Sequence, residues 1–369
     1  MTTSNALAPR LRMDSSSHRR CSIARLRAVC LLLIATLLLL GLSSCGGSAD
    51  QGGASARKPR FAFVTNCAVE FWAVAEAGVQ AAAAELDVDV LVRMPPNGTP
   101  EEQKRMLEDV VSAGVQGIAV SPKDPDNMTG LLDDLAQRVP LITQDSDAPN
   151  SQRLCFIGVD NYDAGRMCGE LIAEAQPDGG PVVLLVGTLD QDNGRRRRQG
   201  VVDYLLERSR DPNRFDAVDA ELQNDRWEIR ATFTDQLDAR KAKSIAEDAL
   251  ARWSDIAVMV GLFEHEAPVI LDAVRGAGRL GSVAIVSFDE NQRTLQGIAD
   301  GHIHGTVVQN PYEYGYQSIA MLAKLAAAGS EAERRALLPK GGILPVPAKQ
   351  IRRPGVAAFR QELDKLLGR

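Results

Sequence analysis

The fold class is decided by residues 60 to 94, RFAFVTNCAVEFWAVAEAGVQAAAAELDVDVLVRM. The first six residues form the short apolar run that is typical of a buried strand. Residues 71 to 86 have the alanine-rich spacing of a helix, and residues 87 to 94 form a second apolar run. A strand, a helix and a strand in this order predict a βαβ unit with parallel strands.

The same alternation continues to the C-terminal part of the chain. Further strands are predicted at residues 117–122, 140–145, 154–160, 181–187, 255–262, 283–289 and 304–309, with helical spacing between most of them. A chain of 369 residues is long for one core. We therefore expect an α/β protein with two doubly wound parallel sheets, each covered by helices on both faces.

The N-terminal segment has the pattern of an export signal. Residues 1 to 27 contain six arginines and one acid, and Ala28 to Leu42 is an apolar run, too short to span a bilayer comfortably. The sequence LSSC that ends at Cys45 is similar to the lipobox of bacterial lipoproteins. We expect residues 1–44 to be a lipoprotein signal peptide and Cys45 to carry lipid, the alternatives being a plain membrane anchor or a chance cysteine.

Residues 45–59 are rich in glycine, serine and alanine and predict a flexible tether. Cleavage before Cys45 leaves 36 basic and 47 acidic residues, a formal charge of −11. This charge argues against nucleic acid as a partner. Three further cysteines allow at most one disulfide, for which Cys155 and Cys168 are the only pair close in sequence; buried free thiols are the favoured alternative.

Polar residues follow many of the predicted strands. In doubly wound sheets, ligands bind outside the carboxyl ends of the strands. The polar residues at those ends are Thr65, Asn66, Ser121, Asp145, Asp160, Asn161, Asp289 and Gln309. Together with the aromatic residues Phe71, Trp72 and Phe263, they predict a site for a small polyhydroxylated molecule, because carboxylates accept hydrogen bonds from hydroxyls and flat rings pack on sugars.

Four consecutive arginines, Arg195 to Arg198, begin a predicted helix after the strand at 181–187. Positive charge at this end opposes the helix dipole, so stability does not explain the run. At 100° per residue, Arg195 and Arg198 share one face, and only one or two of the four can point into a cleft. We expect at least one arginine to contact a ligand and the rest to be solvated.

Three motifs suggest other chemistry and carry less weight. The GAGRLG sequence at 276–281 follows a helix and precedes a strand, the reverse of a dinucleotide-binding turn. His302 and His304 have no third metal ligand beside them. His265 lies between two glutamates without a nucleophile. The sequence therefore predicts no cofactor, no metal and no catalytic residues.

Several segments together carry a family resemblance. They are PLITQDSD, FIGVDNYDAGRMCGELI, RRRRQG, VSFDEN and GIADGHIHGTVVQNPYEYG, in that order. Over nearly all of residues 60–367 the chain resembles the periplasmic sugar-binding proteins of ABC importers, of the ribose-binding type (periplasmic binding protein type 1), whose lobes recur in lactose-repressor-type regulators. The resemblance implies two Rossmann-like lobes joined by a three-strand hinge, with residues 60–160 plus 310–340 in the N-terminal lobe and 161–309 plus 341–369 in the C-terminal lobe.

The resemblance also implies a set of ligand contacts. These are Thr65, Phe71, Trp72, Asp145, Arg195, Phe263 or its neighbours Glu264 and Glu266, Asp289 and Gln309. Ser146 stands where ribose binders have an arginine, and Val69, Glu70 and Leu237 also depart from the pattern. A sugar other than ribose, a sugar alcohol or another polar solute is expected equally.

The expected function is binding without catalysis. A monomeric extracytoplasmic lipoprotein would capture a monosaccharide or polyol between its lobes and deliver it to an ABC permease, held at the membrane by lipid. The alternative is a receptor that presents its sugar or autoinducer to a membrane sensor protein. A transcription regulator would need a DNA-binding segment where the export signal lies, and a sugar hydrolase is the least favoured class.

Overall fold

The structure is a computed structural model, and it describes residues 57 to 368. The expected signal peptide, Cys45 and most of the expected tether lie outside the described residues. Between residues 57 and 368, no helix combines the length and apolar character needed to cross a membrane.

Twelve strands lie in the described part of the chain. They are β1 (Arg60–Val64), β2 (Asp89–Arg93), β3 (Ile118–Val120), β4 (Leu141–Gln144), β5 (Phe156–Gly158), β6 (Gly180–Val186), β7 (Trp227–Thr234), β8 (Val258–Gly261), β9 (Ala284–Phe288), β10 (Gly305–Val308), β11 (Ile343–Pro345) and β12 (Lys349–Arg352). They form two sheets of six strands, in the orders β11-β5-β4-β3-β1-β2 and β12-β10-β9-β8-β6-β7. Every pair is parallel except β12 with β10.

Helices connect the strands and cover the sheets. They are α1 (Glu70–Leu86), α2 (Pro100–Ser112), α3 (Pro125–Ala136), α4 (Asn161–Ala175), α5 (Asp192–Leu205), α6 (Ala239–Arg252), α7 (Glu266–Gly276), α8 (Gln292–Asp300), α9 (Pro311–Ala327), α10 (Glu331–Leu337) and α11 (Val356–Leu366). Helices α2, α3 and α9 begin alike, with a capping side chain that accepts a backbone hydrogen bond and a proline at the first helical position. The expected doubly wound fold with two lobes is confirmed.

Within residues 57–368 the chain passes between the two sheets three times: after β5, after β10 and after β11. The third passage differs from the expected boundary at residue 341. Residues Ile343–Pro345 pair with β5 at the edge of the first sheet, and only β12 belongs to the second. The passage therefore lies at residues 346–348, because the backbone groups of β11 complete the first sheet before the chain leaves it.

Glycines allow two helix pairs to pack at very short distance. In one pair, a Cβ at Gly78 of α1 would lie 2.0 Å from the Tyr312 carbonyl oxygen of α9. In the other, a Cβ at Gly200 of α5 would lie 2.1 Å from the Tyr162 carbonyl oxygen of α4. Only a residue without a side chain permits such an approach.

The thiols of residues 57–368 are free. Cys155 and Cys168 are fully buried, and Cys67 is partly exposed. Burial raises the pKa of Cys155 to about 11, and the pKa of Cys168 still further. Of the two alternatives that the sequence left open, the structure has the buried free thiols.

Candidate functional site

A cleft lies where residues at the carboxyl ends of strands from both sheets meet. It contains about 440 Å³ of space not filled by protein atoms, part of it open to solvent. Its lining consists of Asn66, Cys67, Val69, Phe71, Trp72, Asp145, Asn193, Arg197, Leu237, Phe263, Glu264, His265, Asp289 and Gln309.

Asp145 and Asp289 occupy equivalent places in the two lobes. Each follows the last residue of a strand, β4 or β9, and each has a left-handed backbone, with φ of 60° and 64°. This conformation is uncommon for residues other than glycine and is often found at functional sites. Both side chains are buried and both line the cleft, as the strand-end rule predicts.

Hydrogen bonds fix the orientation of both carboxylates. Asp145 Oδ2 accepts from Ser121 Oγ at 2.8 Å and from Asn66 Nδ2 at 3.3 Å. Asp289 Oδ1 accepts from Gln309 Nε2 at 2.8 Å. Because their partners are themselves buried, the carboxylates are held in place before any ligand binds.

Arg197 is the arginine that reaches the cleft. Its side chain is 1% exposed, and its guanidinium carbon lies 4.5 Å from the ring centre of Phe288 and 5.3 Å from that of Phe263. Its Nε donates to Asn161 Oδ1 at 2.9 Å and its Nη1 to the Leu262 carbonyl at 3.2 Å. Between residues 57 and 368, Nη2 finds no hydrogen-bond partner.

The Arg197 guanidinium lies between the two aspartates. Its nearest nitrogens are 3.9 Å from Asp145 and 3.9 Å from Asp289, too far for hydrogen bonds. A ligand oxygen between these groups can accept from the arginine, while neighbouring hydroxyls donate to the carboxylates.

The expectation that Arg195 enters the cleft is wrong. Its Nη1 instead bonds Asp126 Oδ2 of α3 in the first lobe, at 2.8 Å and close to the surface. The expectation that the other arginines are solvated is also wrong for Arg198. This residue is 3% exposed and donates hydrogen bonds to Thr232 Oγ1 and two backbone carbonyls. The orientation of α5 is set by the close contact at Gly200, and Arg197, three residues earlier, lies on that same face.

The remaining expected residues separate into two groups. Phe71, Trp72, Phe263 and Gln309 line the cleft. Thr65 is fully buried and does not; its Oγ1 donates to the Cys67 carbonyl at 2.7 Å and so shapes the turn after β1. Phe71 and Trp72 pack edge to face, with ring centres 4.9 Å apart, and the Trp72 Nε1 donates to Asn66 Oδ1 at 3.2 Å.

Several lining residues were not among the expected contacts. Asn193 lies one turn before Arg197 on α5, and its Nδ2 reaches Asp145 Oδ2 of the other lobe at 3.4 Å. Helical spacing from Arg197 would have found it. The others are Cys67, Val69, Leu237 and His265, whereas Asn66 and Glu264, which also line the cleft, were among the residues that the sequence placed there.

The electrostatics of the cleft are dominated by burial. Burial raises the pKa of Asp145 to about 6, although Arg197 acts in the opposite direction. Burial likewise raises the pKa of Asp289 and of Glu264 above their ordinary values. A ligand that donates hydrogen bonds to the carboxylates therefore stabilises their charged forms.

Two α/β lobes around a cleft of this composition define a two-lobed ligand-binding protein. Residues 61–331 match the family model described as periplasmic binding protein domain, and the chain belongs to that family. It is 25% identical to the D-ribose/D-allose-binding protein of Pseudomonas aeruginosa, over 87% of this chain and 98% of that protein. It is 24% identical to a ribose import binding protein of Haemophilus influenzae, over 80% and 92%.

The structure is also similar to a solved one. The match is to GanP, a glucose-galactose binding protein from Geobacillus stearothermophilus, with a TM-score of 0.71 and 25% sequence identity. The similarity covers 81% of this chain and 98% of that chain.

Proposed function

We propose that this protein is an extracytoplasmic solute-binding lipoprotein that captures a monosaccharide or a similar polyol between its lobes and delivers it to an ABC-type importer. The observation that carries the proposal is the position of the Arg197 guanidinium, with one free donor, between the buried carboxylates Asp145 and Asp289. The names of the relatives, which bind ribose, allose, glucose or galactose, support it.

Binding works through closure of the lobes. Asp145, Phe71 and Trp72 belong to the first lobe, and Arg197, Phe263 and Asp289 belong to the second. A ligand that touches both groups binds only the closed form with full strength and so shifts the population towards it. A differential affinity of about 10⁴ would invert a 1:99 equilibrium, and about eight hydrogen bonds can supply it.

The ligand class is tested by thermal-shift screening of purified protein against pentoses, hexoses, polyols and related solutes, followed by calorimetry of the hits. We expect at least one neutral sugar or polyol to bind one to one and to raise the melting temperature. Absence of binding by every hydroxyl-rich compound, with binding of another solute class, would refute the proposal.

Delivery and anchoring need tests in cells. Deletion of the gene should abolish uptake of the identified sugar, whereas unchanged uptake with loss of a sugar-induced response would favour the sensor alternative. Replacement of Cys45 by serine should release the protein from the membrane fraction in unlipidated form. Its persistence there would contradict lipid anchoring at this cysteine.

A further inference from the structure

A buried cluster of three titratable side chains lies at the second-lobe wall of the cleft. Asp235 follows β7, and His265 and Glu266 lie where α7 begins. One donor atom from each residue lies within 4.8 Å of the other two. The side chains of Asp235 and Glu266 are fully buried, whereas His265 is partly exposed and lines the cleft.

Each carboxylate of the cluster is fixed through one oxygen and has the other oxygen without an N–H or hydroxyl donor. Asp235 Oδ1 accepts from the Leu237 backbone N–H at 2.8 Å, and Glu266 Oε2 accepts from the Phe263 backbone N–H at 2.9 Å. In the described part of the chain, Asp235 Oδ2 and Glu266 Oε1 accept no hydrogen bond from an N–H or hydroxyl donor, and the two carboxyl groups lie close enough to share a proton. Buried polar atoms without a donor are rare in folded proteins, and such an atom usually contacts a water, an ion or a proton.

The charges around the cluster make a cation favourable. Two buried carboxylates close together repel each other unless a proton or a positive ion lies between them. The His265 Nε2 lies 2.9 Å from Asp235 Oδ1, and the positive charge of Lys123 in the first lobe, which interacts with Asp235, acts against a further cation. Glu264 and Asp289 add negative charge around His265.

We propose that Asp235, His265 and Glu266 form a binding site for a divalent transition-metal ion of the Zn²⁺ class. Imidazole nitrogen and carboxylate oxygen are both ligands of zinc, whereas calcium and magnesium prefer oxygen ligands alone. Two donors on a tetrahedral zinc lie about 3.4 Å apart, so donor atoms that lie within 4.8 Å of one another would have to move by roughly 1 Å to coordinate the ion. The hydrogen bonds from the Leu237 and Phe263 backbones would orient the two carboxylates.

The position of His265 gives the ion an open side. Because this residue lines the cleft, the remaining coordination position faces the space in which a ligand would lie. The zinc measurement does not depend on the proposed sugar-binding function, because it is made without sugar.

The test is zinc binding by purified protein that has been stripped with EDTA and dialysed. Equilibrium dialysis with metal analysis should find one zinc ion per chain. His265→Ala and Glu266→Gln should each weaken zinc binding at least about tenfold. The matched control is His304→Ala, because His304 contacts Glu174 near the surface, and this variant should bind zinc like the parent.

A second measurement needs no variant. Histidine modification mapped by mass spectrometry, with and without zinc, should show protection of His265 and none of His302 or His304. Absence of stoichiometric zinc, unchanged binding by His265→Ala, or protection at His302 and His304 instead would overturn the proposal and leave a shared proton as the counter-charge of the two acids.

Discussion

At the scale of single residues, the Arg197 guanidinium lies between two buried carboxylates, Asp145 and Asp289. Arg197 has aromatic rings on its flanks and two firm hydrogen-bond partners, so its position is fixed without a ligand. Its unpartnered Nη2 is the donor that remains for a ligand. The side chain is thus pre-organised, and little conformational entropy is lost when the ligand binds.

Arg197→Ala should therefore weaken sugar binding about 100-fold, because a charge-assisted hydrogen bond is lost and two buried carboxylates lose their cation. Arg196→Ala is the matched control. The Arg196 guanidinium bonds Asp192 and the Pro212 carbonyl within the second lobe, and its loss should change affinity less than about twofold. Calorimetric titration measures both, and equal effects would contradict the assignment.

The buried Asp145 makes stability depend on pH. Its folded pKa of about 6 lies above the ordinary value of 3.8, so the folded state holds the proton more tightly than the unfolded chain does. The stability that this proton contributes is fully present when the pH is below the ordinary pKa of 3.8, and it is lost as the pH rises through about 6. The pH window from about 4 to 6 is where the loss occurs.

Asp145→Asn removes this ionisation. The variant minus parent difference in the free energy of unfolding should be larger at pH 7.5 than at pH 4 by roughly 2–3 kcal/mol, because only the parent loses stability as the pH rises. Urea unfolding of the unliganded proteins at both pH values measures the difference. A difference near zero would mean that Asp145 titrates normally.

Residue positions were predictable where backbone topology alone decides them. The aspartates after β4 and β9 follow from the rule that ligands bind at the carboxyl ends of strands. The arginine did not follow, because four adjacent arginines are chemically equivalent until the packed face of α5 is known. That face is set by a tertiary contact, Gly200 against α4, which helical periodicity within the run does not contain.

At the scale of elements, the strands that sequence reasoning missed are all at sheet edges. β11, β7 and β12 each have one neighbour in their sheets. These three edge strands bury less side-chain surface and lack the continuous apolar run by which the other strands, including the edge strand β2, were predicted. In β7 buried and half-exposed residues intermingle, and β12 is largely polar with a single buried residue, Ile351.

The close packing of α4 and α5 is testable through its glycine. Gly200→Ala would place a Cβ against the Tyr162 carbonyl and force the helices apart, which should destabilise the fold by several kcal/mol and displace Arg197 from the cleft. The control is Gly130→Ala in α3, where a Cβ would have no atom within 4 Å. That change should stabilise the protein by about 0.5–1 kcal/mol.

Chemical denaturation measures the stability of both glycine variants, and sugar titration measures their affinity. Sugar affinity should fall in the Gly200 variant and stay unchanged in the Gly130 variant. If the Gly200 variant keeps full stability and affinity, the tight helix contact does not position Arg197.

At the scale of the whole molecule, an ion pair joins the lobes outside the cleft. Arg195 of the second lobe bonds Asp126 of the first, and both side chains are partly exposed. Exposed ion pairs contribute about 0.2–1 kcal/mol, so this pair adds weakly to the contact between the lobes. It gives Arg195 a function that differs from the expected ligand contact.

Removing the Arg195–Asp126 ion pair should accelerate sugar release without altering the contacts to the sugar. Arg195→Ala and Asp126→Ala should each raise the dissociation rate by up to about fivefold, and the double variant should release sugar no faster than either single variant. Stopped-flow measurements at low salt are suitable, because salt screens the pair. Additive effects would show that the two side chains act separately.

The mirrored placement of Asp145 and Asp289 has a consequence for selectivity. A sugar ring turned end for end would meet a similar carboxylate in a similar backbone setting on either side. The aspartates alone thus give little preference between the two poses. The residues beside the two aspartates differ, with Phe71 and Trp72 on one side and Phe263 and Glu264 on the other. We therefore expect these residues to determine the discrimination between epimers and between anomers.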